Sequence, residues 1–184
     1  DHVIESFRNK MYAGYKSSEG VDKIILDQFE LAEKAISALG VVVWPMVKFE
    51  ADDAIATATA RFKKDKSVEQ IIICSVDKDL TQMVDGKKVI CWDRRREIFL
   101  NEKGVVEKFG VRPESIPDYL ALVGDSADGY PGIQGWGAKS TASVLAKFKH
   151  IESIPKDPKK LPLGLGRATA LVENLGQNYK DALL

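Results

Sequence analysis

The sequence predicts an α/β fold in which a doubly wound, mainly parallel sheet is followed by an all-helical subdomain. Three observations lead there. Up to Leu100, short apolar runs alternate with longer amphipathic stretches, the pattern of a parallel sheet with crossover helices. After Asn101 the strand-like runs stop and only helical patterns follow. The glycine-rich segment Pro131-Gly132-Ile133-Gln134-Gly135-Trp136-Gly137 then separates two of those helical patterns as a tight turn. The predicted domains are residues 1–112 and 113–184.

Taken in order, residues 6–16 mix cations with aromatics, a composition suited both to an amphipathic helix and to phosphate contact with base stacking. Residues 21–39 place Ile25, Phe29, Ala32, Ile36 and Leu39 at helical spacing, with Gly40 as C-cap. A short strand is expected over 41–44, ended by Pro45. The second long helix covers 50–62, a buried strand 71–74, and a short helix 78–84. Asp85-Gly86 turns the chain into a strand over 87–92, and Arg94-Arg95-Arg96 precedes another apolar run over 97–100. Helices are expected over 102–109, 113–123 with proline at its start, 141–148 and within 165–184; residues 155–162, with three lysines and three prolines, read as a loop.

At 184 residues the chain has room for one sizeable core or for one core with a small appended module. Its 45% hydrophobic and 29% charged residues are those of a globular protein, and no apolar run reaches the length of a membrane helix. Cys74 and Cys91 both lie in apolar runs and are expected to be buried free thiols of a reducing compartment. The formal net charge is zero, from 27 basic and 27 acidic residues. If Asp1, Glu50, Asp52, Asp53, Asp77, Asp79, Asp125 and Asp128 gather in one pocket, 19 acids remain elsewhere against 27 bases, a surface that attracts a polyanion.

Asp1 apart, those acids fall in three groups. Glu50-Ala51-Asp52-Asp53 heads an alanine-rich helix, where the helix N-terminus compensates one or two carboxylates but not three. Glu50 and Asp53 share a face, and like charges about 4 Å apart repel by about 4 kcal/mol at an effective dielectric of about 20, so a cation is expected beside them. Asp77-Lys78-Asp79 follows the strand 71–74 at its carboxyl end, the side of an open α/β sheet where ligands bind. Gly124-Asp125-Ser126-Ala127-Asp128 interrupts an apolar helical pattern. Clustered hard oxygen ligands suit Mg²⁺ or Mn²⁺.

In the glycine-rich turn, Gly132, Gly135 and Gly137 permit a tight hairpin before the helix 141–148, where Trp136, Lys139 and Ser140 also stand. Such a helix N-terminus can approach a phosphate. The Gly-x-x-x-x-Gly-Lys-Ser/Thr spacing of a nucleotide-binding P-loop is absent.

From Asp1 to about Phe148 these motifs together resemble the 5'-nuclease family, which includes the 5'-3' exonuclease domain of bacterial DNA polymerase I and flap endonucleases. The resemblance implies a PIN-like nuclease domain followed by a helix-hairpin-helix subdomain. It also implies two divalent ions, Mg²⁺ or Mn²⁺. Asp1, Glu50 and Asp52 would serve the first, and Asp77, Asp79, Asp125 and Asp128 the second, with Asp53 assisting either. Arg8 and Lys16, in a segment resembling the family's arch, are the catalytic cations implied. Gly132, Gly135, Trp136, Gly137, Lys139 and Ser140 would grip duplex DNA, with K⁺ at the hairpin. The implied activity is hydrolysis of DNA with 5' ends, flaps or nicks, in replication or repair, by an intracellular and, in a bacterium, cytoplasmic and nucleoid-associated monomer with an attached or associated DNA polymerase. Family members carry a further strand and a metal-binding aspartate before the position of Asp1, and the same material is expected here. A catalytically impaired DNA-binding fragment and a PIN-type RNA nuclease are the alternative readings. They differ from the first in lacking metal-dependent cleavage and in not requiring the hairpin.

Overall fold

The computed structural model describes residues 5–17 and 20–183, so the metal-ligand role expected of Asp1 lies outside the described residues. The chain forms two compact units, Asp1–Ala58 and Thr59–Leu184.

In the first unit, α1 (Phe7–Met11) starts at a capping box: the Ser6 hydroxyl accepts from Arg8 N–H, and the Asn9 side chain accepts from Ser6 N–H. The single helix expected over 21–39 is two, α2 (Lys23–Leu26) and α3 (Phe29–Ala38). The break has a local cause. Gln28 uses its own side-chain amide to occupy the Ile24 carbonyl at 2.8 Å, while its backbone N–H turns to Ile25 O. That carbonyl is the one a continuous helix would have offered to the Gln28 N–H. Ile25 and Leu39, expected on the apolar face, are exposed.

The strand expected over 41–44 does not form. The described sheet is built from three other strands, and without a ladder the β-branched Val41 and Val42 stay exposed. α4 (Ala51–Phe62) begins directly after Glu50, whose backbone N–H donates to Asp53 Oδ2 at 3.0 Å. Asp53 is therefore the acid that caps its own helix from the third position.

In the second unit, β1 (Ile71–Ile73) pairs parallel with β2 (Val89–Asp93), and β2 pairs antiparallel with β3 (Ile98–Leu100). The sheet is thus small and mixed. The arginine turn between β2 and β3 is too short for the crossover that a parallel neighbour requires, so it closes a hairpin. Asp93 Oδ1 organises that turn by accepting the N–H groups of Arg95 and Arg96.

β1 is buried on one face only. Ile73 is buried, while Ile72 and Cys74 alternate onto the exposed face, which corrects the expectation that Cys74 is buried. Cys91 is buried as expected; both thiols are free, and burial pushes the Cys91 thiol up to about 11.

After β1 the short helix expected over 78–84 forms as a 3₁₀ helix (Asp79–Met83). Helices α5 (Glu102–Phe109), α6 (Ile116–Val123), α7 (Ala138–Phe148), α8 (Leu165–Gln177) and α9 (Tyr179–Ala182) complete the unit. Its core joins Leu80 and Val89 to Ile116, Leu122, Val144, Leu145 and Leu171, all nearly inaccessible. The helical half and the sheet therefore share one apolar interior, which fixes the loops at the end of β1 and after α6 against each other.

Candidate metal centre

The second unit brings three predicted acids together. Asp79, Asp125 and Asp128 each present a carboxylate oxygen within 4.8 Å of the others, the one such group of three among the described residues. Asp79 enters from the turn after β1. Its backbone N–H donates to Asp77 Oδ1 at 3.1 Å, so Asp77 shapes the turn and is not one of the three.

Asp125 and Asp128 enter from the loop after α6, and two glycines make that loop possible. Gly124 (φ 91°) and Gly132 (φ 69°) lie where the backbone crosses itself. A Cβ on Gly132 would stand 2.5 Å from the Val123 carbonyl carbon, and one on Gly124 would stand 2.8 Å from that of Pro131. Between them Asp125 and Tyr130 exchange two backbone hydrogen bonds of 2.9 and 2.8 Å, which close the loop.

Burial makes this cluster electrostatically costly. Asp125 and Asp128 are 3% and 6% exposed. Asp125 Oδ1 accepts from Ala127 N–H at 3.0 Å, and its Oδ2 lies 2.8 Å from Lys78 Nζ. Asp79 Oδ1 is buried without a hydrogen-bond partner. Burial, the hydrogen bond with Asp128, and the negative charges of Asp128, Asp77 and Asp125 together push Asp79 up to about 8. Three carboxyl groups share one ammonium, and the orphaned Asp79 oxygen is a group that a bound cation would satisfy. The donor set is all hard oxygen, which fits Mg²⁺ or Mn²⁺.

The first unit holds a second acid group of different character. Arg8 donates from Nη1 to Asp53 Oδ2 (3.1 Å) and from Nη2 to Asp53 Oδ1 (2.8 Å), and Nη1 also reaches Glu50 Oε1 (3.0 Å). Glu50 is 6% exposed; its Oε2 accepts from Tyr15 OH at 2.9 Å and lies 3.5 Å from Lys16 Nζ. The cations expected beside these acids are thus Arg8 and Lys16. The Arg8 hydrogen bond holds Asp53 below the usual carboxylate range, and the same pairing raises Arg8. Asp53 is engaged as an ion-pair partner and helix cap rather than standing open, and Arg8 faces carboxylates. Asp52 lies half-buried on the first turn of α4.

The hairpin residues divide. Trp136, named among the predicted DNA contacts, is 2% exposed and donates from Nε1 to Leu171 O at 3.0 Å, so it is a core residue. Ser140 is also buried, its hydroxyl donating to Gly137 O at 3.0 Å and meeting Arg167 Nη2 at 3.4 Å. Gly135, Gly137 and Lys139 are exposed around the start of α7, while Gly132 serves the backbone crossing. Sequence reasoning did not single out Tyr15, Lys78 or Arg167. Only Lys78 carried a local signal, its position between Asp77 and Asp79.

The model of the 5'-3' exonuclease N-terminal resolvase-like domain matches residues 1–110, and that of the 5'-3' exonuclease C-terminal SAM fold matches residues 111–184. The chain belongs to the 5'-3' exonuclease family. A family relative from Aquifex aeolicus, a 5'-3' exonuclease, is 35% identical over 182 residues, covering 98% of this chain and 61% of the relative. A DNA polymerase I of Mycobacterium leprae is 29% identical, covering 89% of this chain and 18% of that protein. The chain spans about three fifths of the length of the 5'-3' exonucleases it matches from Aquifex aeolicus and Buchnera aphidicola. Its fold is also that of the bacteriophage T5 5'-exonuclease. One T5 mutant structure has a TM-score of 0.72 at 18% identity, covering 97% of this chain and 69% of the other. A T5 structure with bound zinc has a TM-score of 0.67 at 21% identity, with coverages of 96% and 62%.

Proposed function

We propose that this chain is the nuclease part of a metal-dependent 5'-3' exonuclease or flap endonuclease that hydrolyses phosphodiester bonds in DNA. What chiefly supports this reading is the meeting of Asp79, Asp125 and Asp128, with an orphaned buried oxygen, in a chain of the 5'-3' exonuclease family. Those three residues would hold one divalent ion, Mg²⁺ or Mn²⁺, with Asp77 beside them. Asp1, Glu50 and Asp52 would serve a second. Divalent ions of this kind supply an activated water and stabilise charge on the leaving oxygen.

The protein's own residues set the stage for that chemistry. The Asp125–Tyr130 bridge and the Ala127 N–H fix one carboxylate in place, and Asp77 fixes the backbone of Asp79. Arg8 holds Glu50 and Asp53 in register, a positioning role, while the partly exposed Lys16 is the better candidate to meet a substrate phosphate. Lys139, at the start of α7, and Arg167, which reaches Ser140 from α8, would contact duplex phosphates, with K⁺ at the helix-hairpin-helix. The substrates proposed are DNA with 5' ends, flaps or nicks. The polymerase I relatives support a polymerase attached to or associated with this unit. Among the described residues no helix is long and apolar enough to cross a membrane. The DNA-processing relatives support an intracellular monomer, cytoplasmic and nucleoid-associated in a bacterium. The helical second half favours this over the RNA nuclease reading, since it adds a surface for duplex DNA.

The test uses 5'-labelled flap, nicked duplex, single-stranded DNA and an RNA flap, each with Mg²⁺ or with chelator. Metal-dependent release of short 5' products from the DNA flap is expected. Equal rates in chelator, or cleavage confined to RNA, would overturn the reading.

A further inference from the structure

Lys78 stands between Asp77 and Asp79, and its ammonium is turned onto a carboxylate of the cluster. It lies 2.8 Å from Asp125 Oδ2, the most buried of the three carboxylates, and its charge also faces Asp79 and Asp128. Asp125 Oδ1 already accepts from Ala127 N–H and Lys78 engages the other oxygen, so an incoming cation would have to share a carboxylate whose two oxygens are both in use. A divalent ion at that oxygen and an ammonium at the same oxygen repel strongly in a partly buried site. The Lys78 side chain is 37% exposed and carries a long flexible stem, so it can withdraw into water where Asp125 cannot. We propose that Lys78 is a resident counter-cation of the centre: it neutralises Asp125 in the metal-free protein and gives up that carboxylate when a divalent ion enters. Lys78 thereby stabilises the empty fold and sets the affinity for the ion below what the acids alone would provide. The inference rests on the metal-binding reading above.

The experiment measures Mn²⁺ binding by titration calorimetry and thermal unfolding with chelator or Mn²⁺, for the full chain and for Lys78→Gln. The variant is expected to bind Mn²⁺ about three- to tenfold more tightly and to unfold at a lower temperature in chelator. Lys78→Arg, which keeps the charge, is expected to show no such gain in affinity. A second readout does not depend on any variant folding. In the wild type, acylation of the Lys78 amine, followed by mass spectrometry, should rise when Mn²⁺ is added to chelated protein. Saturable Mn²⁺ binding with equal affinity in wild type and Lys78→Gln, or Lys78 reactivity unchanged by Mn²⁺, overturns the counter-cation role alone. Absence of saturable Mn²⁺ binding in the wild type overturns the metal centre itself, and this inference with it.

Discussion

Arg8 and Asp53 meet through two parallel hydrogen bonds, 3.1 and 2.8 Å long, and the same guanidinium reaches Glu50 at 3.0 Å. The planar fork of arginine matches both oxygens of Asp53, which a lysine cannot do. Arg8→Lys is therefore expected to lose most of what Arg8→Ala loses. Both groups are about a quarter exposed, so after screening the loss is about 1 kcal/mol, read as a lower urea midpoint. A Lys variant as stable as wild type would show that charge alone matters here.

Asp79→Asn should separate stability from function. An acid that burial and its neighbours push up to about 8 must take up a proton on folding at neutral pH, a cost that asparagine does not carry, so the variant's melting temperature in chelator should rise. The same change removes a proposed metal ligand, and metal-dependent DNA cleavage should fall by about a hundredfold or more. A stabilised variant that retained wild-type cleavage would remove Asp79 from the site.

The same group predicts a pH dependence. In the folded, metal-free protein Asp79 keeps its proton up to about 8, whereas its ordinary value is 3.8. Across that window the folded state binds more protons than the unfolded one, so this residue's contribution to stability is fully present below about 4 and is lost as pH rises toward 8. Asp53 acts oppositely and at lower pH: held below 3.8, it contributes stability at neutral pH that is lost in acid. Melting curves in chelator from pH 5 to pH 8 should therefore decline for wild type more steeply than for Asp79→Asn. Identical slopes would show that Asp79 is ionised throughout.

Gly132→Ala is expected to destabilise by more than about 1 kcal/mol, because the added methyl would sit 2.5 Å from the Val123 carbonyl carbon at a φ of 69°. It should also weaken Mn²⁺ binding, since the loop it closes carries Asp125 and Asp128. Retained affinity in a destabilised variant would uncouple the crossing from the acids.

The two hairpin residues Lys139 and Trp136 should fail in different ways. Lys139→Ala is expected to weaken duplex binding across all sequences and to reduce the salt slope by about one, without loss of stability. Trp136→Ala should cost about 3 to 5 kcal/mol of folding stability, because its ring is buried and its Nε1 holds Leu171 O. The check is denaturant unfolding beside salt-dependent binding for both variants.

The sequence by itself determined the features that depend on neighbours in the chain. Helices α4, α5 and α7 appear close to where the periodicity and caps placed them, and the three acid motifs were legible because like charges so close together need an external cation. The α/β character followed from the alternation of short apolar runs with helices, and the motif order was enough to point to the family. Tertiary structure decided the rest. Whether 41–44 became a strand depended on a ladder partner that no local pattern specifies, and the direction of β3 depended on how tightly the arginine turn closed. Trp136 and Lys139 stand three residues apart with the same claim on DNA, and only packing against α8 assigned one to the core and left the other at the surface. Lys78 looked like a charge within an acidic run until the fold brought Asp125, 47 residues later, to its ammonium at 2.8 Å. Such pairings are set by which faces the shared core buries, and a chain read residue by residue does not contain that choice in any single segment.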